Sequence, residues 1–127
     1  MNKVLWVMIL GCIMGYPMTG FAEGSGSDLL KQCTQALKEI DGAVDPNTID
    51  FGDAGRCMGQ IDGFAGAAAF YEAKPGSPGA ICFPTEGTTI GQSVRIVDQY
   101  LQSHPEQLHE TSTVLIFGAF LAAYPCP

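Results

Sequence analysis

His104 and His109, with Glu106 and Glu110 close by, are the residues of this 127-residue chain whose types come nearest to a metal or acid–base site. Zinc chemistry of the H-E-x-x-H kind needs two histidines on one helical face, so that both rings reach one ion. Here they lie five apart across a helix start set by Pro105, and they do not share a face. His104 is better read as a cap that ends one helix and opens another, and His109 as an exposed or interfacial side chain. Asp45, Asp50 and Asp53 invite a calcium site, but their spacing is not that of an EF-hand loop and no glutamate closes it. They read as turn-forming, solvated carboxylates. Gly55, Gly59, Gly63 and Gly66 follow no parallel strand and precede no G-K-[ST], so they do not cradle a phosphate. No serine or cysteine stands in a nucleophile motif. The expectation is a non-enzyme with no catalytic, cofactor-binding or metal-binding residues.

The chemistry that remains is that of the cysteines. Lys3 precedes the apolar run Val4 to Leu10, and Gly20-Phe21-Ala22 places small residues where a signal peptidase cuts, so residues 1–22 read as a signal peptide and 23–127 as one domain. Ile9-Leu10-Gly11-Cys12 loosely resembles a lipobox, but its apolar segment is short, and lipidation at Cys12 is the lesser alternative. Either cleavage leaves Cys33, Cys57, Cys82 and Cys126, an even set in an exported chain whose expected compartment is the periplasm. Zinc fits them poorly, for want of a close C-x-x-C pair. Four cysteines allow three pairings and the sequence alone does not choose between them. Cys33–Cys57 with Cys82–Cys126 is favoured because each pair joins neighbouring helices.

Charge narrows the partners. The formal net charge of −7 becomes −8 when Lys3 leaves with residues 1–22, and no Lys/Arg run is present, which disfavours nucleic acid. A basic protein partner or simple solubility suits it.

Four helices are expected to carry these features, in a small all-α bundle stapled by disulfides. Glu23 to Gly26 reads as a flexible lead-in without core residues. Ser27 is expected to cap a first helix with Leu29, Leu30, Cys33, Leu37 and Ile40 along one side and Gly42 as its stop. Residues 43–52 form a connector. A second helix spans 54–73, its buried stripe being Cys57, Ile61, Phe64 and Ala68, with the four glycines marking close packing at the centre of the fold. Thr89 and Gln92 form a capping box for a third helix with Ile90, Val94, Val97 and Leu101 on its apolar face. Pro105 opens the fourth, which carries Leu108 and an apolar run from Val114 to Tyr124 too short to span a bilayer. A helix apolar all round is expected to be buried all round, at the bundle's centre or partly against a second copy of the chain. The third and fourth helices form an antiparallel hairpin that Cys82 and Cys126 could close. Between the second and third helices Lys74-Pro75-Gly76-Ser77-Pro78-Gly79 stands out. Its prolines limit conformational freedom and its glycines admit close backbone approach, so it is the candidate partner-binding loop, with a plain crossover as the alternative.

C-M-G-Q-I-D-G-F (57–64), C-F-P (82–84), G-Q-S-V-R-I-V-D-Q-Y-L (91–101), H-P-E-Q-L-H (104–109) and Y-P-C (124–126) together resemble the Rap/Tai family of type VI secretion immunity proteins. The likeness covers nearly all of residues 23–127, with Gln60 where the family commonly has an aromatic residue. It implies a periplasmic helical protein that binds a cognate peptidoglycan amidase effector and blocks its active-site cleft by occlusion, often as a homodimer. A different class, a small acid-activated periplasmic chaperone, shares the size, export and disulfides. An orphan envelope protein of the same fold is the third reading.

Overall fold

The computed structural model describes residues 24–43, 45–76 and 79–127. Residues 1–22, expected to be a signal peptide, with Cys12 among them, and Glu23, Val44, Ser77 and Pro78 therefore lie outside the described residues. Four α-helices occur among those described: α1 (Gly26–Ile40), α2 (Phe51–Glu72), α3 (Ile90–Ser103) and α4 (Ser112–Ala123). No strand accompanies them, only two isolated bridges, and the all-α, disulfide-stapled bundle expected from the sequence is observed.

Each helix enters the core by one stripe. α1 contributes Leu29, Cys33 and Ala36; α2 Ala54, Cys57 and Ile61; α3 Val94, Val97 and Leu101; α4 Leu115, Ile116, Ala119 and Phe120. α1 packs most heavily on α2 and next on α3, while α4 leans chiefly on α3. Both favoured cysteine pairs are bonded. Cys33–Cys57 ties α1 to α2, and Cys82–Cys126 closes the segment that contains α3 and α4. Spanning 24 and 44 residues, crosslinks of this kind contribute about 2–4 kcal/mol each in a small domain.

The start of the domain departs from expectation. Ser25, not Ser27, caps α1: its hydroxyl accepts the Asp28 amide while the Asp28 carboxylate accepts the Ser25 N–H at 3.0 Å, a complete capping box. Those hydrogen bonds from Ser25 hold the Asp28 carboxyl below its ordinary range. Nor are Gly24 to Gly26 a loose lead-in. The Gly26 and Ser27 amides donate to the carbonyls of Glu110 and Leu108 at 2.9 and 3.1 Å, and the Ser112 amide donates to Gly24 at 2.9 Å. The N-terminal amides that a helix leaves unpaired are thus satisfied across two helix starts at once. Gly26 is buried there, and a Cβ on it would stand 2.9 Å from the Leu108 Cα. Gly42 stops α1 as expected, at φ +70°, with the Ala43 and Gly42 amides returning to Lys38 and Glu39.

α2 begins earlier than expected, because Asp50 caps it by accepting the Asp53 amide. Asp45 caps the short 3-10 turn Pro46–Thr48 in the same way. Asp53 is not a solvated turn carboxylate. It is buried and pairs with Lys31 on α1 at 2.9 Å, a hydrogen bond that raises the Lys31 pKa. The α2 glycines also depart from their expected role. Gly55, Gly59, Gly63 and Gly66 face solvent, and a Cβ on any of them would meet nothing within 4 Å. They mark an uncrowded outer face, not a close helix crossing. Because all four have ordinary helical φ, replacing any one with alanine is expected to stabilise the fold by about 0.4–1 kcal/mol, read as a rise in the urea midpoint without a change of slope.

Thr89 caps α3 by accepting the Gln92 amide, without the reciprocal bond from the Gln92 side chain, and Ile90 is exposed instead of core. Pro105 does not open α4. It starts the single 3-10 turn Pro105–Gln107, and α4 begins only at Ser112, leaving Leu108 in the connection. His104 ends α3 and is the N-cap residue of the 3-10 turn after it, its carbonyl accepting the Gln107 amide at 3.0 Å, but its side chain makes no capping bond. Its ring stacks on Tyr100 at 4.1 Å and its Nδ1 lies 2.8 Å from the Tyr100 carbonyl, so that nitrogen carries the proton and donates. His109 is exposed and beside Glu110.

Candidate functional site

α4 is where the expected and observed burial differ most, and that difference makes a surface. Its inner side is buried, but Val114, Phe117 and Leu121 are 54%, 40% and 39% exposed, so α4 lies at the edge of the bundle with an apolar outer side. The C-terminal end of α2 adds Phe70, 82% exposed, and Tyr71. Uncharged aromatic area of this kind stands out on a protein surface and usually marks contact with a partner.

Phe64, Ala67, Ala68 and Tyr71 of α2 face Phe117 of α4 across a pocket of about 240 Å³, closed at one end by Ala80 and Ile81. This falls below the size of ordinary small-molecule sites and suits one or two inserted side chains. The floor is rigid. Phe64 packs edge-on to Phe117 at 6.4 Å and stacked on Phe120 at 6.0 Å, and Phe120 in turn meets Phe83 at 5.3 Å. The one charged lining group, Glu72, is occupied in structure: its Oε1 accepts the Ile81 amide at 2.9 Å.

That hydrogen bond also fixes the base of the loop singled out in the sequence. Lys74, Pro75 and Gly76, all exposed, leave the end of α2, Gly76 at φ +80°, and the chain returns at Gly79, exposed beside the Glu72 side chain. From there the Cys82 amide donates to the Tyr124 carbonyl at 2.8 Å, Ile81 bridges to Pro125, and Cys82–Cys126 locks the return to the end of α4. The residues on either side of the loop, Tyr71 and Glu72 before it and Ala80 and Ile81 after it, thus also line the pocket. That Phe70, Tyr71, Val114, Phe117 and Leu121 are exposed was not foreseen from the sequence. The available signal was that Phe70 falls off the stripe of Cys57, Ile61, Phe64 and Ala68, and that α4 has more apolar residues than one side can bury.

Among the described residues no group of three or more His, Cys, Asp or Glu side chains is placed to hold a metal ion, and no helix is long and apolar enough to cross a membrane. The four cysteines among the described residues are all in disulfides. What this end of the bundle offers is shape and apolar area.

The family model of the Rap1a immunity proteins matches residues 25–126. No curated protein and no solved structure matches the chain significantly.

Proposed function

The chain belongs to the Rap1a immunity proteins, and from that premise we propose that it acts in the periplasm, where it binds a peptidoglycan amidase delivered by type VI secretion and occludes its active-site cleft. The observation that carries the reading is the exposed aromatic surface of Phe70, Tyr71 and Phe117 beside the loop 74–79. Occlusion asks for a projecting, pre-shaped segment on an anchored base, and apolar area around it to exclude water from the contact. Lys74, Pro75 and Gly76, exposed where the chain leaves α2, begin the first. Glu72 and Cys82–Cys126 supply the anchor.

The test of the function is growth of cells exporting a candidate amidase, encoded beside this gene where one exists, with and without the protein in the periplasm. Rescue together with a co-purifying complex supports immunity; absence of both across representative amidases overturns it. The test of the loop is the double variant Lys74→Asp with Pro75→Ala. Both side chains are exposed, so the fold is expected to be unchanged while affinity for the cognate amidase falls about tenfold or more, the size of one good interface contact. Unchanged binding would remove the loop from the contact and leave the aromatic face. Homodimerisation, also expected from the resemblance, would use the outer side of α4 and is read by sedimentation of the free protein.

A further inference from the structure

Among the described residues, Asp98 is the one buried carboxylate that lacks a cationic partner. It lies on α3, 6% exposed, where α3 packs against the C-terminal half of α1. Gln102 donates to its Oδ2 at 2.6 Å, while its Oδ1 is buried with no hydrogen-bond partner. An ionised carboxylate left half-satisfied in a protein interior is costly, and such an atom in a native fold asks for an explanation. Asp98 also lines a cleft of about 430 Å³ between α1 and α3, together with Thr34, Leu37, Lys38, Asp41 and Gln102. The cleft is open to solvent, and at its end α1 terminates at Asp41 and Gly42, so the negative pole of that helix points the same way as the carboxylates.

We propose that this cleft is a recognition site for an alkylammonium or guanidinium group, with Asp98 on its floor as counter-ion and Leu37 against the aliphatic stem. The charges around it favour a cation with one competitor. Asp41 is already paired with Arg95, whose guanidinium is drawn to that outer carboxylate. Lys38, half-buried, forms no ion pair among the described residues and is the cation in the cleft's own lining. A guest cation has to displace the attraction of the Lys38 ammonium for the same floor. Burial holds the Asp98 carboxyl above its ordinary range, with the Gln102 hydrogen bond opposing. Binding therefore strengthens with pH as Asp98 ionises, and a bound cation draws that titration back down. The negative net charge of the whole chain steers cations toward it. The site is separate from the aromatic face and stands whether or not an amidase is the partner.

The experiment is a carboxyl-detected NMR titration of the protein purified from the periplasm, following Asp98 against pH alone and with Nα-acetyl-lysine methylamide, Nα-acetyl-arginine methylamide or putrescine. The expected result is a fall in the Asp98 midpoint with at least one probe, and shifts confined to Thr34, Leu37, Gln102 and their neighbours. Asp98→Asn is isosteric and keeps the Gln102 contact possible; it is expected to weaken the probe about tenfold, the loss of one charge-assisted hydrogen bond. Lys38→Ala is expected to tighten it. Preference for the amino-acid derivatives assigns the cation to a partner protein's side chain, and preference for putrescine assigns it to a free polyamine. An Asp98 midpoint unmoved by all three probes, or affinity unchanged in Asp98→Asn, overturns the proposal; the first reading uses the wild-type protein and does not depend on how the variant folds.

Discussion

Replacing Phe120 with alanine is expected to remove about 3–5 kcal/mol of stability, the largest loss of any single side chain in this fold. Phe120 is fully buried, and its ring touches three others: Phe64 stacked at 6.0 Å, Phe83 edge-on at 5.3 Å and Tyr124 at 6.4 Å. These partners come from α2, from the segment after Cys82 and from the end of α4. A cavity at Phe120 therefore has no single element able to move in and fill it. Aromatic pairs add about 0.5–1.5 kcal/mol beyond area, which places the variant toward the upper part of the range. A domain of this size has about 5–15 kcal/mol in total, so the variant should retain a cooperative transition with a much lower urea midpoint. The disulfides remain intact and keep the unfolded chain short, so folding is weakened and not abolished. Two-state denaturation of wild type and variant under non-reducing conditions measures the difference; a loss below about 1 kcal/mol would mean that the aromatic cluster is not the centre of the fold.

The same cluster shows what the sequence could and could not convey. Periodicity located Leu29, Cys33, Cys57, Ile61, Val94, Val97 and Leu101, since each lies on a stripe that only one helical face can present. The cysteine pairing followed from helix adjacency, because sequential helices in a small bundle are neighbours in space. Periodicity failed on α4. A helix apolar on every side carries no phase, and burial all round was the natural inference, whereas here one side is left open as Val114, Phe117 and Leu121. Composition failed at Gly26 and at the α2 glycines in opposite directions. The lead-in glycine is packed because distant residues 108–112 offer it carbonyls, and the four helical glycines are free because nothing approaches them. Asp53 and Asp98 were invisible for a related reason. A carboxylate looks solvated in sequence, and only the neighbouring helix decides whether it meets Lys31, as Asp53 does, or an open cleft. Local signals named the elements, and the contacts between different helices that assign each surface its role had no local signature.

The candidate contact face yields the second large effect. Phe70→Asp is expected to weaken binding to a cognate amidase by about 2–4 kcal/mol, or roughly 30- to 1000-fold in Kd, without changing the fold. Phe70 is 82% exposed and makes no ring contact, so nothing in the free protein depends on it. A phenylalanine this open contributes only when a partner covers it. Placing a carboxylate there then adds a desolvation penalty to the loss of apolar area. The control lies on the same helix. Phe51, at the start of α2, is also strongly exposed, and nineteen residues of helix put it about 28 Å away. Phe51→Asp changes the charge by the same amount and also removes a largely exposed ring, so any long-range effect of added acidity on a charged partner is common to both variants. If the partner docks on the pocket and loop end, Phe70→Asp loses binding and protection of amidase-exporting cells while Phe51→Asp keeps both. Equal losses would show that net charge governs association; a loss confined to Phe51→Asp would move the contact to the opposite end of α2. Phe117→Ser supplies an independent check from α4. Its ring walls the same pocket as Tyr71, so it should weaken binding in parallel with Phe70→Asp, though with some cost in stability through its edge contact with Phe64. Coincident losses from residues on two different helices would locate the contact on the surface they share.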